Sequence, residues 1–212
     1  MKTVLLTGFE PFGGDPFNPS GEIARQLDRA IIAAHKVIGA VLPCVFGKDT
    51  TELRRLLRLH RPALVVCLGL AAGRTAITPE RIAINVADAR IPDNAGRQPV
   101  DKPVVRGGPT AYWSTLPIKA IVAALQAHGI PAEVSQTAGT FVCNHVFYAL
   151  MHELARTKMR VRGGFVHVPA LPKDAVTHSG LPLPEMTEAI RIAIETSLRR
   201  SRDVREAGGA VS

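Results

Sequence analysis

A single-domain α/β/α sandwich, three layers built around a mostly parallel, twisted open sheet, is the fold this sequence predicts. Four runs of seven to nine residues are almost continuously apolar, which suits strands covered on both faces. Helical periods fall between these runs, the alternation that builds parallel sheets. No internal repeat or linker divides the 212 residues, enough chain to bury a large core. Residues 1–200 are therefore assigned to one domain, and 201–212 to a disordered tail.

The elements follow in order. TVLLTGF (3–9) opens as a buried strand. Asn18 and Pro19 then start a helix through GEIARQLDRAIIAA, an N-cap residue followed by proline at the first helical position. HKVIGAVLP (35–43) is a strand, and Thr50 or Thr51 opens the helix ELRRLLRLH, stopped by Pro62. ALVVCLGL (63–70) is the next buried strand, and the alternating RIAINVADA (81–89) suits a half-exposed strand near an edge. The proline- and glycine-rich stretch 88–110 is too long for an ordinary connection, and such loops carry function or move. Leu116–His128 is an amphipathic helix closed by Gly129, and PAEVSQT (131–137) a weak strand. NHVFYALMHELA continues as a helix after Cys143, GGFVHVP (163–169) is the last strand, and Pro184 begins the last helix. In that helix Ile190, Ile194 and Leu198 form a stripe for core packing.

Composition narrows the class. The chain is 46% hydrophobic with mixed charges, as globular proteins are. No apolar stretch approaches the ~18 residues of a membrane span. The opening apolar run of about five residues is shorter than a signal peptide's ~7–15. Three cysteines, none at CxxC spacing, argue for a reducing cytoplasmic setting and against a zinc ribbon. The +8 net charge comes with one tryptophan, two tyrosines and no RNA-binding or zinc-finger signature. It reads as a basic solvated surface rather than a nucleic-acid site.

Several residues carry candidate chemistry. TGFEPFGG (7–14) matches neither phosphate-loop spacing, and its phenylalanines suit an apolar slot at a strand's carboxyl end, or plain loop packing. Cys44 and Cys67 are enclosed by apolar neighbours and read as inert thiols. Cys143 is divided between two readings: a small core residue, or a nucleophile whose thiolate is favoured by a helix N-terminus. His167, at the end of an apolar strand, is either a satisfied core histidine or a base for that thiol. His145 is nearer in sequence but points to a different helical face. Glu80, among Arg74, Arg81 and Arg90, is either a surface ion-pair member or the carboxylate that orients the histidine. The remaining histidines show no metal-ligand spacing, and His178-Ser179 has no nucleophile-elbow context.

Taken together, TGFEPFGGDPFNPS (7–20), GRTAITPERIAINVADARIPDN (73–94), SQTAGTFVCNHVFYAL (135–150) and GGFVHVPALP (163–172) resemble the pyroglutamyl peptidase I family. These are the cysteine peptidases, also called pyrrolidone-carboxylate peptidases, that remove an N-terminal pyroglutamate. The resemblance implies that Cys143 is the nucleophile, His167 its base and Glu80 the orienting carboxylate. It places Arg90 near the oxyanion region. It lines the lactam slot with Phe9, Phe12 and Phe141, supported by Asn18. It also implies a cytoplasmic homotetramer without metal or cofactor, acting on pyroglutamyl peptides and on neither nucleic acid nor membrane. Two positions depart from the pattern: Leu70 stands where many relatives have glutamine, and Ala87-Asp88 where many have two aspartates. The alternatives are a cysteine amidase or thioesterase for another small acyl group, or a non-catalytic binding module.

Overall fold

The computed structural model describes residues 1–157, 161–172 and 180–209. In chain order the elements are β1 (Thr3–Phe9), α1 (Pro19–Gln26), β2 (Ile31–Ile32), β3 (His35–Leu42), α2 (Lys48–His60), β4 (Leu64–Leu70) and β5 (Thr78–Pro79). After these come β6 (Ile82–Ile84), β7 (Ala111–Trp113), α3 (Ile118–Ala127), α4 (Val142–Thr157), β8 (Arg162–Val168) and α5 (Leu183–Arg199). The main sheet has the order β2-β3-β1-β4-β8-β5. Its four long strands run parallel, with β2 and β5 antiparallel at the two edges.

Side-chain alternation in these strands feeds two cores. Val4, Leu6, Val66, Leu68, Val166 and Val168 pack with α1, α3 and α5 on one face. Leu5, Phe9, Val65, Cys67 and Phe165 pack with α2 and α4 on the other. That makes the three-layer α/β/α sandwich, and explains why the strand sequences read as unbroken apolar runs. The chain leaves β1 for β3 on one side, while β4 lies on its other side, with α1 and α2 on opposite faces. The carboxyl ends of β1 and β4 therefore flank a topological switch point, where open α/β sheets form their clefts.

Most elements stand where the sequence puts them, and the differences have local causes. The first helix ends at Gln26 rather than running through Ala34. Ile31 and Ile32 pair with His35 and Lys36 in a hairpin, turned by Ala33 and Ala34 at φ 44° and 61°. A helical period over AIIAA was outweighed by the pairing partner that HKV offers. α2 starts at Lys48, two residues before the first threonine expected to open it. RIAINVADA contributes only β6, which pairs with β7 in a separate two-stranded sheet. PAEVSQT makes isolated bridges at Ala132 and Ser135 and no strand. The 88–110 stretch is bonded down, by the Ala87–Lys102 bridge and by Asp93, rather than left loose. In the tail expected to be disordered, residues 201–209 hold neither helix nor strand, and Asp203 accepts from the backbone N–H groups of Lys119 and Ala120. His178, Ser179 and the last three residues lie outside the described residues.

Candidate active site

The site grows from the end of β8. Phe165 and His167 are two apart on this strand, so they share the face that α4 covers, and their rings lie 4.9 Å apart. β5 pairs antiparallel with β8, Thr78 opposite His167, and carries the chain straight into Glu80. Glu80 is 0% exposed and anchored by its backbone N–H to the Phe165 carbonyl. Its Oε1 accepts from His167 Nδ1 at 2.6 Å and from Arg74 Nη1 at 2.6 Å. The expected alternative of a surface ion pair is thus overturned, because the Glu80 carboxylate is buried and only Arg74 reaches solvent. A carboxylate only accepts, so Nδ1 carries the imidazole hydrogen and Nε2 presents a lone pair.

Cys143 reaches the same place from the opposite layer. It is the second residue of α4, whose first intrahelical bond runs from His145 N to the Phe141 carbonyl, leaving earlier N–H groups unclaimed by the helix. Its sulfur sits so close to Gly69 that a Cβ there would come within 2.7 Å of it, and within 2.8 Å of the Phe165 ring. Gly69 is registered against His167 in the β4–β8 pair, and adjacent strands lie ~4.8 Å apart. Thiol, imidazole and carboxylate therefore gather over the carboxyl ends of β4 and β8.

The electrostatics define the resting state. Burial pushes the Cys143 thiol up, Cys44, Glu80 and Asp49 add to this, and Arg74 pulls it down. Cys143 nevertheless keeps part of its surface open, whereas Cys44 and Cys67 are sealed and each pushed up to about 12. A helix N-terminus stabilises a nearby charge by at most ~2 kcal/mol. An unperturbed cysteine, at a pKa of about 8.5, is already mostly thiol at neutral pH. Burial thus opposes the thiolate that the helix position favours. Burial also holds the His167 pKa below its ordinary value, against the pull of Glu80, so the imidazole is neutral. Burial therefore acts against charge on both the thiol and the imidazole.

The remaining expected residues divide. Phe12 and Phe141 are half-buried, their rings tilted by 41° with centroids 6.1 Å apart. Phe9 is 2% exposed and packs on Phe165 at 6.5 Å, in the layer behind the imidazole. Asn18 spends its side chain on the fold: Oδ1 accepts from Ser20 N and Ser20 Oγ, and Nδ2 donates to the Glu10 carbonyl. It braces the phenylalanine loop. Arg90 is exposed, and its guanidinium has no hydrogen-bond partner among the described residues. Leu70 lines a cleft of about 310 Å³ with Phe17, Pro19, Ala170 and Leu171.

Sequence reasoning gives no role to Phe46 or Asn144, names Arg74 only as a neighbour of Glu80, and sets His145 aside as a base; all four contribute. Arg74 grips Glu80. Phe46 meets Phe141 edge-on at 5.3 Å, extending the aromatic corner. Its own position is set by Asp93 accepting from Phe46 N and by Arg97 donating to the Phe46 carbonyl. His145 Nδ1 donates to Asp49 Oδ2 (2.9 Å), and the ring packs edge-on against Phe46, so it is engaged away from the thiol. Asn144 ties the start of α4 to Ile84 and Val86. The one available signal was local charge: Arg74 precedes Glu80 by six residues.

An α/β/α sandwich with a helix-borne cysteine over a buried imidazole–carboxylate pair defines a thiol-dependent hydrolase. The pyroglutamyl peptidase family model matches residues 2–200, and the chain belongs to that family. Pyrrolidone-carboxylate peptidase 1 of Ralstonia nicotianae is 56% identical over 212 residues, 99% of each chain. The Chromobacterium violaceum pyrrolidone-carboxylate peptidase is 55% identical over the whole of both. The crystal structure of pyroglutamyl peptidase I from Bacillus amyloliquefaciens superposes with a TM-score of 0.94 at 47% identity, covering 97% of this chain and 99% of that one. The pyrrolidone carboxyl peptidase of Thermococcus litoralis gives 0.93 at 41% identity, covering 98% and 100%.

Proposed function

We propose that this chain removes N-terminal pyroglutamyl residues from peptides through a thioester on Cys143. His167 Nε2 takes the thiol proton as the sulfur attacks the pyroglutamyl carbonyl, and the tetrahedral oxyanion is met by N–H groups of the first turn of α4. Collapse breaks the amide bond, with the same proton passing from His167 to the leaving amine. Water then adds to the thioester, giving its proton to His167, and free pyroglutamate departs as the thiol is restored. Glu80 keeps the imidazole in the right tautomer and stabilises its transient charge.

The observation that carries this reading is the 2.6 Å contact between His167 Nδ1 and a fully buried Glu80, beside the Cys143 sulfur on Gly69. The lactam is flat and neutral, and has no ammonium group for a carboxylate to bind. The tilted Phe12–Phe141 pair with Phe46 edge-on beside it suits such a ring. Phe9 backs this wall, and Asn18 holds its loop. We assign the oxyanion to backbone donors, with Arg90 outside the contact. The cleft beside Leu70 is our candidate for the released peptide's side.

The cytoplasm is the proposed setting, supported by three free thiols. No described helix is long and apolar enough to cross a membrane. A homotetramer is proposed from the family resemblance. The test is hydrolysis of pyroglutamyl-naphthylamide. The wild-type chain should release naphthylamine and Cys143→Ala should lose at least ~10³-fold of the rate. Turnover of other acyl amides but not this one would favour the amidase reading, and full activity in Cys143→Ala would end the nucleophile assignment.

A further inference from the structure

Glu80 presents a physical problem that its role toward His167 does not solve. It is a carboxylate at 0% exposure, and its second oxygen, Oε2, is buried without a hydrogen-bond partner. Such a charge persists in a protein interior only beside a compensating one. A neutral His167 supplies none. Arg74 is the only lysine or arginine paired with Glu80 among the described residues.

Arg74 does more than neutralise. Nη1 spends its two hydrogens on Glu80 Oε1 (2.6 Å) and Thr78 Oγ1 (2.5 Å), while Nη2 donates to the Thr137 carbonyl at 2.8 Å. Thr78 belongs to β5, the strand that delivers Glu80. Thr137 belongs to the turn that leads through Gly139, at φ 75°, into α4 and Cys143. A single planar guanidinium therefore ties the acid to the segment that carries the thiol. A lysine ammonium lacks the fork to make all three contacts at once.

We propose that Arg74 is a positioning residue for the hydrolysis: it pairs with the buried Glu80 and fixes that carboxylate relative to Cys143, acting through Glu80 and His167 rather than on substrate. The inference rests on the Cys143–His167–Glu80 reading above. The lactam wall, built from Phe12, Phe46 and Phe141, does not involve Arg74, so its loss should appear in kcat and leave KM unchanged.

The experiment is a double-mutant cycle on full-length protein with pyroglutamyl-naphthylamide. Arg74→Met should lower kcat roughly 10- to 100-fold, a part of the ~10²–10⁴-fold that a positioned base supplies, with KM within about twofold of wild type. Arg74→Lys should fall between the two, and serves as the reading if Arg74→Met does not fold. Iodoacetamide should alkylate Cys143 more slowly in Arg74→Met, because the base is no longer held. In a Glu80→Gln background, Arg74→Met should cost less than about twofold further, since its partner charge is already gone. Full additivity in that cycle, a loss confined to KM, or wild-type kcat in Arg74→Met would overturn the proposal. An active Cys143→Ala would instead sink the underlying reading, so the two failures are told apart.

Discussion

At the scale of single residues, the site depends as much on what is missing as on what is present. Gly69 has no side chain because the Cys143 sulfur and the Phe165 ring occupy that space, 2.7 and 2.8 Å from where a Cβ would stand. The nearest obstacles are a thiol and a packed ring, and the backbone of a central strand has no room to retreat. Gly69→Ala should therefore push the thiol out of line with His167, lowering kcat/KM more than tenfold, at an overpacking cost of about 1–3 kcal/mol in unfolding. Urea melts run beside the assay separate the two effects, and an alanine variant with normal turnover would contradict the placement of the sulfur. From sequence, Gly69 was simply part of the buried strand ALVVCLGL (63–70). Cys143 and His167 were each balanced against a core reading, because a one-dimensional neighbourhood of apolar residues looks the same in both cases.

At the scale of elements, helix ends do much of the positioning. α1 starts at an Asn18 cap with Pro19 behind it, as its sequence announces. The start of α3 is different: Pro117 stands at its N-cap and makes no side-chain bond. The carboxylate of Asp203, 84 residues from Lys119, accepts from Lys119 N and Ala120 N instead. A cap borrowed from the tail cannot be found by reading S/T/D/N before a helical period. Asp203→Ala should lower stability by ~1 kcal/mol, the ordinary worth of a cap, with kcat/KM unchanged because α3 lies on the face opposite α4. Thermal unfolding and the naphthylamide assay check both halves. α2 and α4 are joined in a comparable way by the buried Asp49–His145 contact, which also presents an imidazole edge to Phe46.

At the scale of the whole molecule, folding and catalysis share a pH dependence through the buried imidazole. Burial lowers the His167 pKa in the folded chain, so below about pH 6.5 the unfolded chain binds the proton more readily. Stability contributed by the neutral ring is then full above pH 6.5 and is lost as pH falls through the folded value. Activity, which needs the free base, should likewise hold through pH 6.5 and decline only on the acid side of it. Denaturation midpoints and kcat/KM measured from pH 8 to pH 4.5 test this, and an acid limb lying above 6.5 would refute it. The sequence by itself determined the four long strands and most of the helices between them, since apolar runs and helical periods are local signals tied to the burial of each face; Cys143, His167 and Glu80 stood out only through the family resemblance. It could not determine that AIIAA would turn into a hairpin, that RIAINVADA would leave the main sheet, or that Arg74 and Phe46 would complete the site. Those outcomes depend on pairing and packing between segments far apart in the chain. Glu80 shows the difference most clearly: next to three arginines in sequence it reads as a surface charge, and only the β5–β8 pairing buries it against His167.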